Sequence, residues 1–125
     1  VIDPEAGELR WMNAGQPHAF VMAADGTLER LGATDPPLGM ASGLPHESVR
    51  KWNRATDTLV LFTDGVPDAR DVDGAMLGEA SVLEVLSARK GESPERIIDG
   101  VFALLEGHMG GIAAPDDQAL LVLRT

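Results

Sequence analysis

Residues 59–70 read LVLFTDGVPDAR, and the fold turns on why the apolar run stops at Thr63-Asp64-Gly65. Leu59, Val60, Leu61 and Phe62 are strand formers in a run too short for a helix, which predicts a buried strand. The Asp-Gly that closes it has two readings. Both residues favour the conformations that reverse a chain, so the pair can be a plain turn. An aspartate at a strand end can also be a metal carboxylate.

A second acidic block, Asp116-Asp117, stands just before another apolar run, Ala119 to Leu123. If the two runs are strands lying side by side and antiparallel, the end of one and the start of the other share a rim, and their carboxylates converge. Oxygen ligands without neighbouring His or Cys select hard cations such as magnesium or manganese over zinc. Taken singly, each acid reads first as a turn former or helix-end residue. Only the pairing points to a cation.

Outward from these blocks, Leu9–Ala14, Ala19–Ala23 and Leu28–Leu31 are short runs parted by turn residues, the pattern of an antiparallel meander, with Asp25-Gly26 as the hairpin turn between the last two. Gly32 to Pro45 holds Pro36-Pro37, Gly39, Gly43 and Pro45, and predicts a long loop. Val49–Trp52 reads as a further strand. From Glu79 to Lys90 the period becomes helical through Val82, Val85, Leu86 and Arg89, with Gly91 as the stop. A second helix starts with Ser93 as cap and Pro94 in the first turn, lines one face with Ile97, Val101, Leu104 and Leu105, and ends near His108 and Gly110-Gly111. Strands, two helices and a final strand make an α+β plan.

Composition narrows the function. The 125 residues, 44% of them hydrophobic, suffice for one domain with an ordinary core. The formal net charge is -10 and no cluster of Lys and Arg forms a phosphate-binding stripe, so nucleic acid is not an expected partner. The acidic surplus serves solubility and also suits a site that collects divalent cations. The absence of cysteine excludes disulfides and thiolate metal sites and fits a reducing compartment. No apolar run has the length of a bilayer span and no signal segment opens the chain, so membrane contact is not expected and a cytoplasmic location is. The first residue is Val1 in place of an initiating Met, which reads as a processed product or an excised piece.

Four blocks in this order, NAGQPHAFVMAADGTLERL, PPLGM, LVLFTDGVPDAR and DDQALLVL, resemble the C-terminal half of the SpoIIE-like bacterial branch of the metal-dependent PPM (type 2C) protein serine/threonine phosphatases. The recurring units are Asn13-Ala14-Gly15, Pro37-Leu38-Gly39, Thr63-Asp64-Gly65 and Asp116-Asp117, and together they span most of the chain from Asn13 onward. The resemblance implies a β-sandwich of two mostly antiparallel sheets flanked by helices, here as a partial domain over residues 1–125, and a two-metal centre at one end. By the family's pattern Asp64 and Asp116 are ligands of Mn²⁺ or Mg²⁺, and Asp68 matches an acidic position that holds a further, weaker metal in relatives; a surface acid in a loop is its other reading. Two such cations neutralise phosphate oxygens and acidify a shared water, whose hydroxide attacks phosphorus in line without a phosphoenzyme. Gly65 would let backbone pass close to the metals, and Asn13 and Gly15 would shape a neighbouring turn.

Two departures from the pattern stand out. The family commonly follows NAG with His-Pro, whereas Gln16-Pro17-His18 follows here, so the polar contact of that His is open; His18, near a loop, reads as exposed, and His46 and His108 as structural. The family's N-terminal Gly-Asp and Gly-His-Gly blocks, which supply a bridging aspartate and a backbone carbonyl, have no counterpart in these residues. Half a metal site and unpaired sheet edges follow, with pairing to a second copy, strand swapping or aggregation as the expected outcome. The expected function is hydrolysis of phosphoserine or phosphothreonine on a regulatory protein such as an anti-sigma-factor antagonist, with the fragment inactive alone. The alternatives are a non-catalytic partner-binding module descended from a phosphatase, and an acidic α+β domain whose DG and DD are turns only.

Overall fold

The computed structural model describes residues 1–40 and 43–125. Its elements run β1 (Ile2–Asp3), β2 (Glu8–Trp11), β3 (Ala19–Met22), β4 (Leu28–Arg30), β5 (Ser48–Lys51), β6 (Thr58–Phe62), α1 (Glu79–Ala88), α2 (Pro94–Met109) and β7 (Leu120–Leu123). They form a three-stranded sheet in the order β1-β2-β5 and a four-stranded sheet in the order β4-β3-β6-β7, with every pairing antiparallel.

The four-stranded sheet is the middle of three layers. Because side chains alternate along a strand, one face of β3 and β6 presents Phe20, Met22, Val60 and Phe62, which pack with Val82, Leu86, Ile97, Val101 and Leu105 of the helices. The other face presents Ala19 and Val21, which join Leu9, Leu31 and Trp52, with Leu59, Leu61 and Trp11 at the margin. The opening run is apolar throughout because β6 is covered on both faces. β7 lies at the edge of its sheet: Leu120 and Val122 meet the helix core, while Leu121 and Leu123 stay 51% and 37% exposed on the opposite face. An open cavity of about 400 Å³ on that side is lined by Trp11, Leu31, Leu59 and Leu61 among others.

Two expectations are corrected. The meander holds only for β3 and β4, whose Asp25-Gly26 turn places Gly26 at φ 88; β2 pairs with β5 in the other sheet. The turn at Asn13–Gln16 carries the chain from one layer to the next, so sequence neighbours do not pair. The helix expected to Lys90 ends at Ala88. The two-residue strand β1 has no periodic signal, being held by its pairing with Leu9 and Glu8.

α2 starts as the sequence predicts, with Ser93 extended, its side chain accepting from the Arg96 amide, and Pro94 opening the helix. Just past the end of α1 the Arg89 side chain lies over Gly100 of α2, and a Cβ on that glycine would fall 1.8 Å from Arg89 Nε. Between β4 and β5 the described residues hold no helix or strand. The part of the expected loop at Ala41 and Ser42 lies outside the described residues.

Candidate active-site rim

Phe62 pairs with Leu120, so the chain leaving β6 and the chain entering β7 meet at one end of the sheet. Thr63 extends the pairing beyond the strands. Its amide donates to the Ala119 carbonyl at 3.1 Å. Its hydroxyl donates to the Asp117 carbonyl at 2.8 Å and accepts from the Ala119 amide at 3.0 Å. Gln118 Nε2 donates to the Gly65 carbonyl at 3.2 Å. At Gly65 the two backbones touch: a Cβ there would lie 2.4 Å from the Asp117 carbonyl oxygen and 3.2 Å from that of Asp116. The expectation for Gly65 was close approach to metals; what the structure records is close approach to the second acidic block. In Thr-Asp-Gly, the threonine stitches, the glycine admits the neighbouring backbone, and the aspartate between them is held at the rim.

Asp64 is 65% exposed at its side chain, and Asp116 and Asp68 are exposed. The Asp68 amide donates to the Asp64 carbonyl at 3.0 Å, which sets Asp68 one turn further along. The Asp117 amide donates to Asp116 Oδ1 at 2.7 Å. Among the described residues no group of three or more His, Cys, Asp or Glu side chains is placed to hold a metal ion. The rim therefore offers hard, solvent-facing oxygens of the right chemistry for Mg²⁺ or Mn²⁺, in a set smaller than a complete centre.

His18 is not the exposed loop residue that its sequence context suggests. Its side chain is 13% exposed and stacks on Phe62, with ring centroids 4.7 Å apart and planes 10° from parallel. Nε2 lies 3.1 Å from Asp64 Oδ1, and Nδ1 lies 2.6 Å from Glu79 Oε1. The second oxygen of Glu79 pairs with Arg30, whose guanidinium also donates to the Pro17 carbonyl and sits 4.6 Å from the Phe20 ring centroid. Partial burial pushes the Glu79 carboxyl up, but hydrogen bonds and charge from Arg30 and His18 outweigh it and hold the group below its ordinary value. Glu79 lies 61 residues from His18 and Arg30 lies 49 from Glu79, so no local pattern announces the network.

Gln16 donates from Nε2 to the Phe62 carbonyl at 2.8 Å. Asn13 is buried, and its Oδ1 accepts from the amides of Gly15 and Gln16 while Nδ2 donates to the carbonyls of Gln16 and Leu31. Asn13-Ala14-Gly15 is thus a turn closed by a side chain and tied to the end of β4. His46 is 82% exposed, with Nδ1 2.8 Å from Asp35 Oδ1, a contact that together with Thr34 holds the Asp35 carboxyl below its usual range. His108 Nε2 lies 3.0 Å from the Ala75 carbonyl.

The family profile of Stage II sporulation protein E (SpoIIE) matches residues 1–125. Protein IcfG of Synechocystis sp. (strain ATCC 27184 / PCC 6803 / Kazusa) is 31% identical over 126 residues, covering 98% of this chain and 19% of that protein. Phosphoserine phosphatase RsbP of Bacillus subtilis (strain 168) is 37% identical over 67 residues, covering 54% of this chain and 17% of that protein. Among solved structures, the SiaA-PP2C domain of Pseudomonas aeruginosa superposes with a TM-score of 0.79 at 19% identity, covering 95% of this chain and 47% of that one. The chain belongs to the SpoIIE family and has the fold of its PP2C-type (PPM) phosphatase domains. It spans less than a fifth of the length of these two curated relatives and about half of the solved domain.

Proposed function

We propose that this chain is the C-terminal portion of a metal-dependent protein serine/threonine phosphatase domain, with Asp64 and Asp116 as two of the carboxylates that hold its Mn²⁺ or Mg²⁺ ions. Asp68 is the candidate for a further, weaker cation. The observation that carries the reading is the rim itself: the Thr63 and Gln118 side chains, bonded to backbone carbonyls, and the close backbone approach at Gly65 join the two acidic blocks at one end of the sheet. A pair of divalent cations, when bound, supplies charge for phosphate oxygens and an acidified water. The chain's own part is to present the exposed carboxylates, while the Asn13 turn fixes the neighbouring segment.

The substrate class is a phosphoserine or phosphothreonine on a regulatory protein such as an anti-sigma-factor antagonist, supported by the likeness to a phosphoserine phosphatase. With an incomplete ligand set among the described residues, the 125-residue chain alone binds Mn²⁺ weakly and does not turn over phosphate.

The test uses the full-length protein. Asp64→Asn and Asp116→Asn each keep the side chain's shape and remove a ligand charge. Each is expected to lower phosphoserine phosphatase activity by more than about 100-fold, beyond the 10–100-fold typical of groups that only support a ligand. Near-wild-type turnover in both variants would overturn the assignment. A wild-type protein that binds its partner but never releases phosphate would instead favour a non-catalytic module, the reading supported by the small ligand set.

A further inference from the structure

We propose that His18 is a positioning residue for Asp64, held in place by Glu79 and Arg30. The inference rests on the reading of Asp64 as a metal ligand and goes beyond it, because the residue at issue lies outside the carboxylate blocks. Asp64 is 65% exposed and projects from a turn, so its carboxylate has rotamer freedom that a cation would have to freeze. One neighbour limits that freedom. His18 Nε2 stands 3.1 Å from Oδ1, and no other hydrogen bond or ion pair to this carboxylate occurs among the described residues. Oδ1 is engaged and Oδ2 is left for another partner.

The histidine is itself fixed from three directions. Its ring lies on Phe62 at the end of β6, its Nδ1 meets Glu79 at the first turn of α1, and Glu79 is gripped by Arg30 of β4. Arg30 is anchored in turn over Phe20 and on the Pro17 carbonyl. The chain Arg30–Glu79–His18–Asp64 thus runs from the edge strand β4, past a helix start, to the rim. A network meant only to tie α1 to the sheet would end at His18–Glu79. This one continues to an exposed carboxylate, where a lone surface contact adds little stability. Hydrogen-bonding partners of ligating carboxylates matter to metal affinity by about 10–100-fold, far more than their worth to the fold.

Calorimetric titration of the full-length protein with Mn²⁺, beside thermal unfolding without metal, separates these roles. His18→Phe preserves the stacked ring and removes both nitrogens; His18→Gln restores a donor nitrogen. The expectation is about tenfold weaker Mn²⁺ binding in His18→Phe with little change in unfolding midpoint, partial recovery in His18→Gln, and an intermediate loss in Glu79→Gln. If His18→Phe binds Mn²⁺ as well as or better than wild type while Asp64→Asn binds poorly, the positioning role is wrong and the site stands. If Asp64→Asn binds like wild type, the site reading fails and the positioning role falls with it. Should His18→Phe prove unstable, equal affinity of His18→Gln and Glu79→Gln to wild type overturns the proposal by itself.

Discussion

The two faces of the four-stranded sheet have the same kind of residues and different fates. On the helix side, Phe20, Met22, Val60 and Phe62 are at most 2% exposed beneath two helices whose apolar stripes match the sheet. On the other side the three-stranded sheet covers β3 and reaches the margin of β6, and beyond it Leu121 and Leu123 face outward at the edge strand. An unbroken run of apolar residues states that a strand will be covered on both faces; it does not state that the cover lies in the same stretch of chain. One face is closed by the two helices, and the other retains exposed apolar surface at Leu121 and Leu123.

The sharpest way to break this contrast is to cut the same chemistry from each face. Leu86→Ala removes a fully buried side chain from the helix-side core and is expected to cost about 2–5 kcal/mol in denaturant unfolding. A loss below about 1 kcal/mol would mean that the helices are only loosely seated. At the rim, Gly65→Ala puts a methyl against the Asp117 carbonyl, which has to shift; about 1–3 kcal/mol of destabilisation is expected, with weaker Mn²⁺ binding alongside. Unchanged stability would show that the two acidic blocks are not in contact.

A smaller effect comes from acid. Because the folded-state pKa of Glu79 is depressed below its ordinary value of 4.5, its contribution to stability is present above the unfolded value and is lost as pH falls through the folded one. Glu79→Gln should therefore be less stable than wild type near neutrality by up to about 1 kcal/mol, with the gap closing on acidification below about pH 4.5. A gap that is the same at pH 3 and pH 7 would contradict the ion-pair account. Smallest in stability is Leu121→Ser on the open face, within about 0.5 kcal/mol. Its readout is association: the wild-type 125-residue chain, with a net charge of -10, should self-associate more as salt screens repulsion, and the serine variant should do so less. Identical sedimentation of the two across a salt series would show that this face is not adhesive.

Much of this arrangement is legible in the sequence, for a physical reason. Leu59–Phe62 declares a strand because cover on both faces leaves no polar position, the final apolar run declares one by the same unbroken pattern although its outer face stays open, and Asp25-Gly26 and Ser93-Pro94 carry their turn and cap chemistry within two residues. The antiparallel neighbourhood of Asp64 and Asp116 could be posed as a condition, and the β6–β7 register meets it. What stays hidden depends on distance along the chain. β2 joins β5 instead of β3 because the Asn13 turn redirects the chain, and nothing in Leu9–Ala14 encodes which strand will lie beside it. His18 looks like a loop residue because the groups that bury and bind it, Phe62, Asp64 and Glu79, come 44 or more residues later. The cue that existed was chemical: a histidine close behind the Asn13-Ala14-Gly15 block.

Both tryptophans sit on one side of this architecture. Trp52 is buried in the sheet-to-sheet core, with its indole nitrogen donating to Thr125 Oγ1, and Trp11 is half-buried against the same cluster. The helix-side core contains none. Intrinsic fluorescence of this chain is therefore a one-sided reporter, blind to the packing of α1 and α2, while far-ultraviolet circular dichroism is dominated by those two helices. Coincidence of the two signals during unfolding becomes a direct reading of whether the three layers melt as a single cooperative unit.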